Sequence, residues 1–225
     1  MQNLLLEGVV GSRAYGLATA DSDTDYAGIY VEPTRRLLGL HPPTRSSRTG
    51  RGGADAVYHE VAKAMELMLS CNPTVYELLW LNDYLALTEL GRELVALRQC
   101  FASAPRVRRA YVGYASAQVR DLRRSPHPSA MRRAKQARHS MRLLWQGYQL
   151  YTTAVLPIRL PDPDRVHDFG EHAAAEGADP VRALLAEYET AFDTATTALP
   201  GEPDEQPIDD LLQRIRQVYL DREPA

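Results

Sequence analysis

The sequence predicts an α/β (α+β) protein: a small mixed sheet near the N-terminus, then a C-terminal helical domain. Short apolar runs bounded by turn residues are confined to the N-terminal part. From His59 onward the apolar residues recur at helical spacing instead. The few visible strands require the sheet to be small, and no internal repeat is present.

Residues 3–10 (NLLLEGVV) read as a short buried strand, closed by the turn Gly11-Ser12. Residues 13–22 form a short helical or looped connection through Gly16, and 24–32 (TDYAGIYVE) read as a second strand. Residues 33–53, with adjacent prolines and several arginines, are expected to be a long loop, and 54–58 a third strand. Val61, Met65, Met68 and Leu69 share one face of the first helix. Asn72-Pro73 stops it, and Thr74 is the expected cap of the next, which runs through Leu81. Another helix starts at Thr88 and carries Leu90, Leu94, Leu97 and Phe101. Two long helices, 106–124 and 129–154, are separated by Ser-Pro-His-Pro. A proline-rich linker, 156–164, and helices at 180–198 and 207–221 complete the chain. We place the boundary after residue 85, giving a sheet-bearing core (1–85) and a helical domain (86–225) with an acidic C-terminal region.

Of the 225 residues, 44% are hydrophobic and 24% charged, ordinary for a globular protein. No apolar stretch reaches the ~20 residues of a membrane span, and the N-terminus lacks a signal-like basic and apolar pattern. Cys71 and Cys100 lie in helix-like segments without metal spacing and are expected as reduced thiols, so the expected compartment is the cytoplasm. Residues 1–150 carry 20 Lys/Arg against 13 Asp/Glu, whereas 151–225 carry 6 against 16. A basic body with an acidic tail region suits a polyanionic ligand on the first part, although solvated helix faces produce the same statistic. The six histidines form no zinc set, and no Ser-His-Asp or Cys-His arrangement is visible.

The chemistry sits in Gly11-Ser12 followed by Asp23-Thr24-Asp25. Side chains two apart on a strand point the same way, so Asp23 and Asp25 project together. Two aligned carboxylates repel unless a cation neutralises them, and a hard divalent ion such as Mg²⁺ is the usual partner. Gly11 lets the backbone approach a ligand closely, and Ser12 offers a hydroxyl and exposed N–H groups to phosphate oxygens. Arg13 is a further candidate phosphate contact, and Lys63, one helical turn after His59, is another. Lys135, Arg138, His139 and Arg142 fall on one face of a long helix, opposite the expected core stripe Met131, Ala134, Met141, Leu144 and Tyr148. That basic stripe either lines a nucleotide cleft or is an ordinary solvated face.

The stretch GSRAYGLATADSDTDYAGIYV resembles the Gly-Ser…Asp-x-Asp signature of DNA polymerase beta superfamily nucleotidyltransferases. Its local form, Gly-Ser-Arg-Ala-Tyr-Gly then Ser-Asp-x-Asp, is closer still to the RNA repair pathway DNA polymerase beta family. Asp55…Glu60-x-x-Lys63, Asn72-Pro73…Glu77-Leu78-Leu79 and, more loosely, Lys135…His139-x-x-Arg142 agree with that branch. The resemblance covers residues 3–85 closely and 130–162 loosely.

It implies the polymerase-beta nucleotidyltransferase fold with residues 1–85 as the catalytic core. It also implies two Mg²⁺ (or Mn²⁺) ions, a third carboxylate, and transfer of a nucleoside monophosphate from a nucleoside triphosphate to a hydroxyl. Asp23, Asp25 and Asp55 are then the catalytic and metal-binding carboxylates. Asp55 is preferred over Glu60 because a strand places a group more rigidly than a helix start, where the helix dipole already explains a Glu. Gly11, Ser12, Arg13, Lys63, Lys135, Arg138 and Arg142 are the candidate nucleotide-binding residues. The acceptor stays open between an RNA end and a protein partner, and a catalytically silent nucleotide- or RNA-binding module is the alternative from another class.

Overall fold

The computed structural model describes residues 3–51, 54–124 and 129–220, with the side chains of 47–51, 54 and 122–124 left outside the description. The Ser-Pro-His-Pro break at 125–128 therefore lies outside the described residues. The chain forms two compact units, Met1–Ala102 with Pro203–Ala225, and Ser103–Glu202.

In the first unit, β1 (Leu4–Val10) and β2 (Asp25–Tyr30) pair antiparallel, with Val10 opposite Asp25 and Glu7 opposite Gly28. Between them lies the one-turn helix α1 (Gly11–Tyr15), closed by Gly16 in the left-handed conformation. After β2 come α2 (Thr34–Leu37), β3 (Ser46–Arg51) and β4 (Ala54–Glu60). β4 runs parallel to β2, from Tyr26 beside Ala56 to Tyr30 beside Glu60, and pairs antiparallel with β3. With β5 (Ala86–Leu87) on the far side of β1, the sheet order is β3-β4-β2-β1-β5. The expected long loop at 33–53 thus contains a helical turn and an edge strand. The sequence Ser-Ser-Arg-Thr-Gly-Arg lacks the alternating apolar residues that reveal a strand, because an edge strand has fewer neighbours to pack against.

Helix α3 (Val61–Leu69) starts directly after β4 and buries Val61, Ala64, Met65 and Met68. Its N-cap is Glu60, whose side chain accepts from the Ala62 N–H. Helix α4 (Pro73–Tyr76), followed by a 3-10 turn at Glu77–Leu79, is capped by Asn72 rather than Thr74. Asn72 Oδ1 accepts from the Thr74 N–H at 3.1 Å, and Pro73 occupies the first helical position, where its missing N–H costs nothing. Helix α5 (Glu89–Ala96) is capped by Thr88, as expected. A 3-10 turn, Arg98–Phe101, ends this stretch.

The second unit is built from α6 (Ala104–Arg124), α7 (Ala130–Thr153), α8 (Pro163–Glu176) and α9 (Asp179–Thr194). Helix α8 is unannounced in the sequence. Its start coincides with the proline-rich linker, and its buried face consists of Val166, Gly170 and Ala173, too small to stand out as an apolar stripe. Apolar clusters among the described residues help to hold the unit. Val119, Ala137, Ala173 and Val181 form one, and Val112, Ala115, Leu144 and Phe192 another, with Tyr148 and Tyr151 edge-on to Phe192. Met131 is not a core residue of α7 but 81% exposed, because the helix begins only one residue earlier and its first turn projects past the packing partners.

The last helix, α10 (Glu205–Val218), belongs to the first unit. It buries Ile208, Leu211 and Ile215, and Thr34 Oγ1 donates to the Arg216 carbonyl at 2.7 Å. Helices α5 and α10 and strand β5 therefore pack with the sheet, whereas the sequence placed everything after residue 85 with the helical domain.

Candidate functional site

The end of β1, the start of α1 and the start of β2 meet at one point. Val10 pairs with Asp25, and the next residue, Gly11, turns the chain at φ +72°. A Cβ on Gly11 would lie 2.3 Å from Asp25 Oδ2, so only glycine lets the chain pass this carboxylate. Ser12 follows, half-buried, and its carbonyl accepts from the Leu17 N–H at 2.8 Å, which folds the chain back. Arg13 donates to the Ser22 carbonyl at 2.7 Å, and Ser22 Oγ accepts from the Thr19 N–H at 2.8 Å. The loop between α1 and β2 is thus held beside α1, with Asp23 exposed and Asp25 half-buried at its end.

Asp55 immediately precedes the register pair Tyr26–Ala56, as Asp25 does on β2. Strand alternation then puts Asp25 and Asp55 on one face of adjoining parallel strands, with backbones about 4.8 Å apart. Asp55 is exposed. Glu60 sits at the opposite end of β4, roughly 16 Å along the strand from Asp55. It is fully buried, bonded to Arg216 at 2.6 Å, and occupied with capping α3. Among the described residues, no three His, Cys, Asp or Glu side chains stand close enough to form a ready metal-binding group. The donors at the Asp25 end are nevertheless hard carboxylate oxygens, set where Gly11 opens the backbone. That chemistry fits a divalent cation held with help from substrate oxygens.

Lys63 is not brought to the aspartates. It lies in the first turn of α3, beyond the Glu60 end of β4, and pairs with Glu66 at 3.4 Å. Nearby, His59 Nδ1 shares a hydrogen bond with Ser46 Oγ at 2.8 Å, and burial, helped by Lys63, lowers its pKa.

Within the second unit the basic stripe of α7 is not one uniform surface. Lys135 is exposed and Arg138 partly buried, but Arg142 is only 2% exposed. Arg142 donates to Gln146 Oε1 at 2.7 Å and is 3.2 Å from His139 Nδ1. A guanidinium only donates, so Nδ1 accepts and carries no proton. Burial, then Arg142 and Lys135, push the His139 pKa down to about 3. Gln146 in turn donates to the carbonyls of Pro157 at 2.9 Å and Ile158 at 3.2 Å, which ties down the segment before α8. Arg142 is therefore neither on a solvated face nor available without displacing this network.

Two buried pairs escaped the sequence reading as site features. Tyr15 donates to both oxygens of Glu77 at 2.9 Å, tying the end of α1 to the turn after α4. The order Gly-Ser-Arg-Ala-Tyr-Gly thereby gains a physical reason: Tyr15 fixes the far end of the turn that Gly11 opens. Tyr58 donates to Glu7 across Gly28, where a side chain would meet the Leu6 carbonyl at 2.7 Å and the Tyr58 ring at 2.9 Å. A glutamate inside the apolar run LLLEGVV was the available signal for Glu7.

A search of curated proteins finds no match to this chain. A family profile does match, over residues 2–213, reaching into α10, and by it the chain belongs to the RNA repair pathway DNA polymerase beta family.

Proposed function

We propose that the protein is a metal-dependent nucleotidyltransferase that moves a nucleoside monophosphate from a nucleoside triphosphate to a hydroxyl of an RNA acceptor. The observation that carries this reading is the packing of Gly11 against Asp25 Oδ2, with Asp23 two residues earlier in the loop that leads into β2 and Asp55 at the adjoining position of β4. Asp23, Asp25 and Asp55 would hold the divalent cations, which, when bound, neutralise triphosphate charge and acidify the acceptor hydroxyl. Ser12 presents its hydroxyl and backbone N–H to phosphate oxygens. Arg13 keeps the loop between α1 and β2 folded through Ser22 and so sets where Asp23 points. Asp55, exposed and on the strand beside Asp25, faces the incoming acceptor and takes the hydroxyl proton on a carboxylate oxygen. The acceptor oxygen then attacks the α-phosphorus in line, and pyrophosphate leaves. Positioning and charge neutralisation supply most of the rate.

The test is incubation of the purified protein with each labelled triphosphate, Mg²⁺ or Mn²⁺, and total RNA. Label on RNA that disappears in Asp25→Asn and in excess chelator is the expected outcome. Label on the protein fraction alone would make the acceptor a protein. Absence of any label with every triphosphate would leave a silent binding module.

A further inference from the structure

Among the described residues, most cations of the first unit have acidic partners. Arg36 pairs with Glu32 at 2.6 Å, Arg45 with Glu66 at 2.8 Å, Arg216 with Glu60 at 2.6 Å, and Arg214 with Glu93. At the start of α6, Arg106 lies 3.6 Å from Glu202 and Arg108 2.5 Å from Asp193.

Where α6 gives way to α7 the pattern reverses. Arg120, Arg132 and Lys135 are exposed and Arg138 is partly so, and none of the four has an acidic partner among the described residues. Helix α7 contains no Asp or Glu over its 24 residues, and Asp121 is the one acid of α6. The unit does not lack acids, since α8 and α9 carry Asp164, Asp168, Glu171, Glu187 and Glu189. Leaving cations unpaired beside each other costs self-repulsion that an external polyanion relieves.

Arg132, Lys135 and Arg138 recur every third residue of α7, about 4.5 Å apart along the helix axis, and Arg120 lies near the end of α6, which packs against α7. Set one after another along a helix, they suit a chain of phosphates better than one triphosphate. Met131, exposed in the same turn as Arg132, adds an apolar seat for an unstacked base. Single strands present such bases and duplexes do not.

We propose that the end of α6 and the start of α7, through Arg120, Arg132, Lys135 and Arg138, form a docking surface for the phosphodiester backbone of a single-stranded RNA acceptor. The choice of RNA rests on the function proposed above.

The test is fluorescence anisotropy of a short labelled single-stranded RNA titrated with the full chain, without triphosphate or metal, across a salt series. Wild type should bind, with affinity falling steeply as salt rises. The triple variant R120E/R132E/K135E should bind about tenfold or more weakly, and its salt slope should be flatter by about 2, near 0.7 per lost phosphate contact. Its circular dichroism should match wild type, because these side chains are exposed. If the triple variant fails to fold, the single reversals are read instead, each flattening the slope by a fraction of that amount. An unchanged affinity and slope, or no RNA binding by wild type, overturns the surface. Because binding is read without turnover, RNA that binds but is never labelled refutes the proposed transfer and leaves the surface standing.

Discussion

Gly11 has a positive φ and no room for a methyl group beside Asp25, so Gly11→Ala acts twice on one position. An alanine in the left-handed region costs about 1–2 kcal/mol, and the methyl must push Asp25 Oδ2 aside. Urea denaturation should report a loss of that size. Transfer activity should fall much further than stability does, and a proportionate loss of both would mean that Gly11 serves the fold alone. His139 gives a test by pH. Its folded pKa of about 3 lies below the ordinary 6.5, so the folded state binds fewer protons than the unfolded state between those values. The stabilising contribution is then complete above about pH 6.5 and is lost as pH falls toward 3. The melting temperature of His139→Gln should depend less steeply on pH than wild type across that window. Parallel curves for the two proteins would show that His139 protonates freely in the fold.

At the scale of elements, the two acids of β4 separate stability from chemistry. Glu60→Ala removes the cap of α3 and leaves Arg216 of α10 without its carboxylate, a loss on the order of 3 kcal/mol by chemical denaturation. Asp55→Asn changes an exposed side chain and should alter stability by less than about 0.5 kcal/mol. Transfer should nevertheless drop by about a hundredfold or more. Equal stability losses, or an active Asp55→Asn, would reverse these assignments.

The same elements show what was legible. The runs of β1 and β2, the Thr88 cap and the Gly-Ser…Asp-x-Asp spacing are local features, and local features survive in a sequence. β3 and α8 were hidden because one is polar and the other packs through small residues. Arg142 and Met131 exchanged their expected environments because helical periodicity gives the faces of α7 but not where its partners begin and end. The neighbourhood of Asp25 and Asp55 depends on parallel pairing across a long crossover, which pattern alone does not reveal. The resemblance to a family, not periodicity, pointed to Asp55.

For the molecule as a whole, the order of packing differs from the order of the chain. The second unit is an insertion, since the first begins before Ser103 and is completed after Glu202. Sequence proximity suggested that the tail would join the helical domain. Ile208, Leu211 and Ile215 instead fill the first unit, against α3, α5 and the turn at Arg98–Phe101.

That connectivity sets a timetable during synthesis. The sheet and its first helices leave the ribosome with the seat for α10 uncovered, and it stays so while Ser103–Glu202 is translated, about 5–20 s. In that interval the second unit, whose described elements are all helices, has every segment it needs and mostly local contacts to make. The nascent chain therefore finishes its middle first, and its beginning becomes native only when its end arrives.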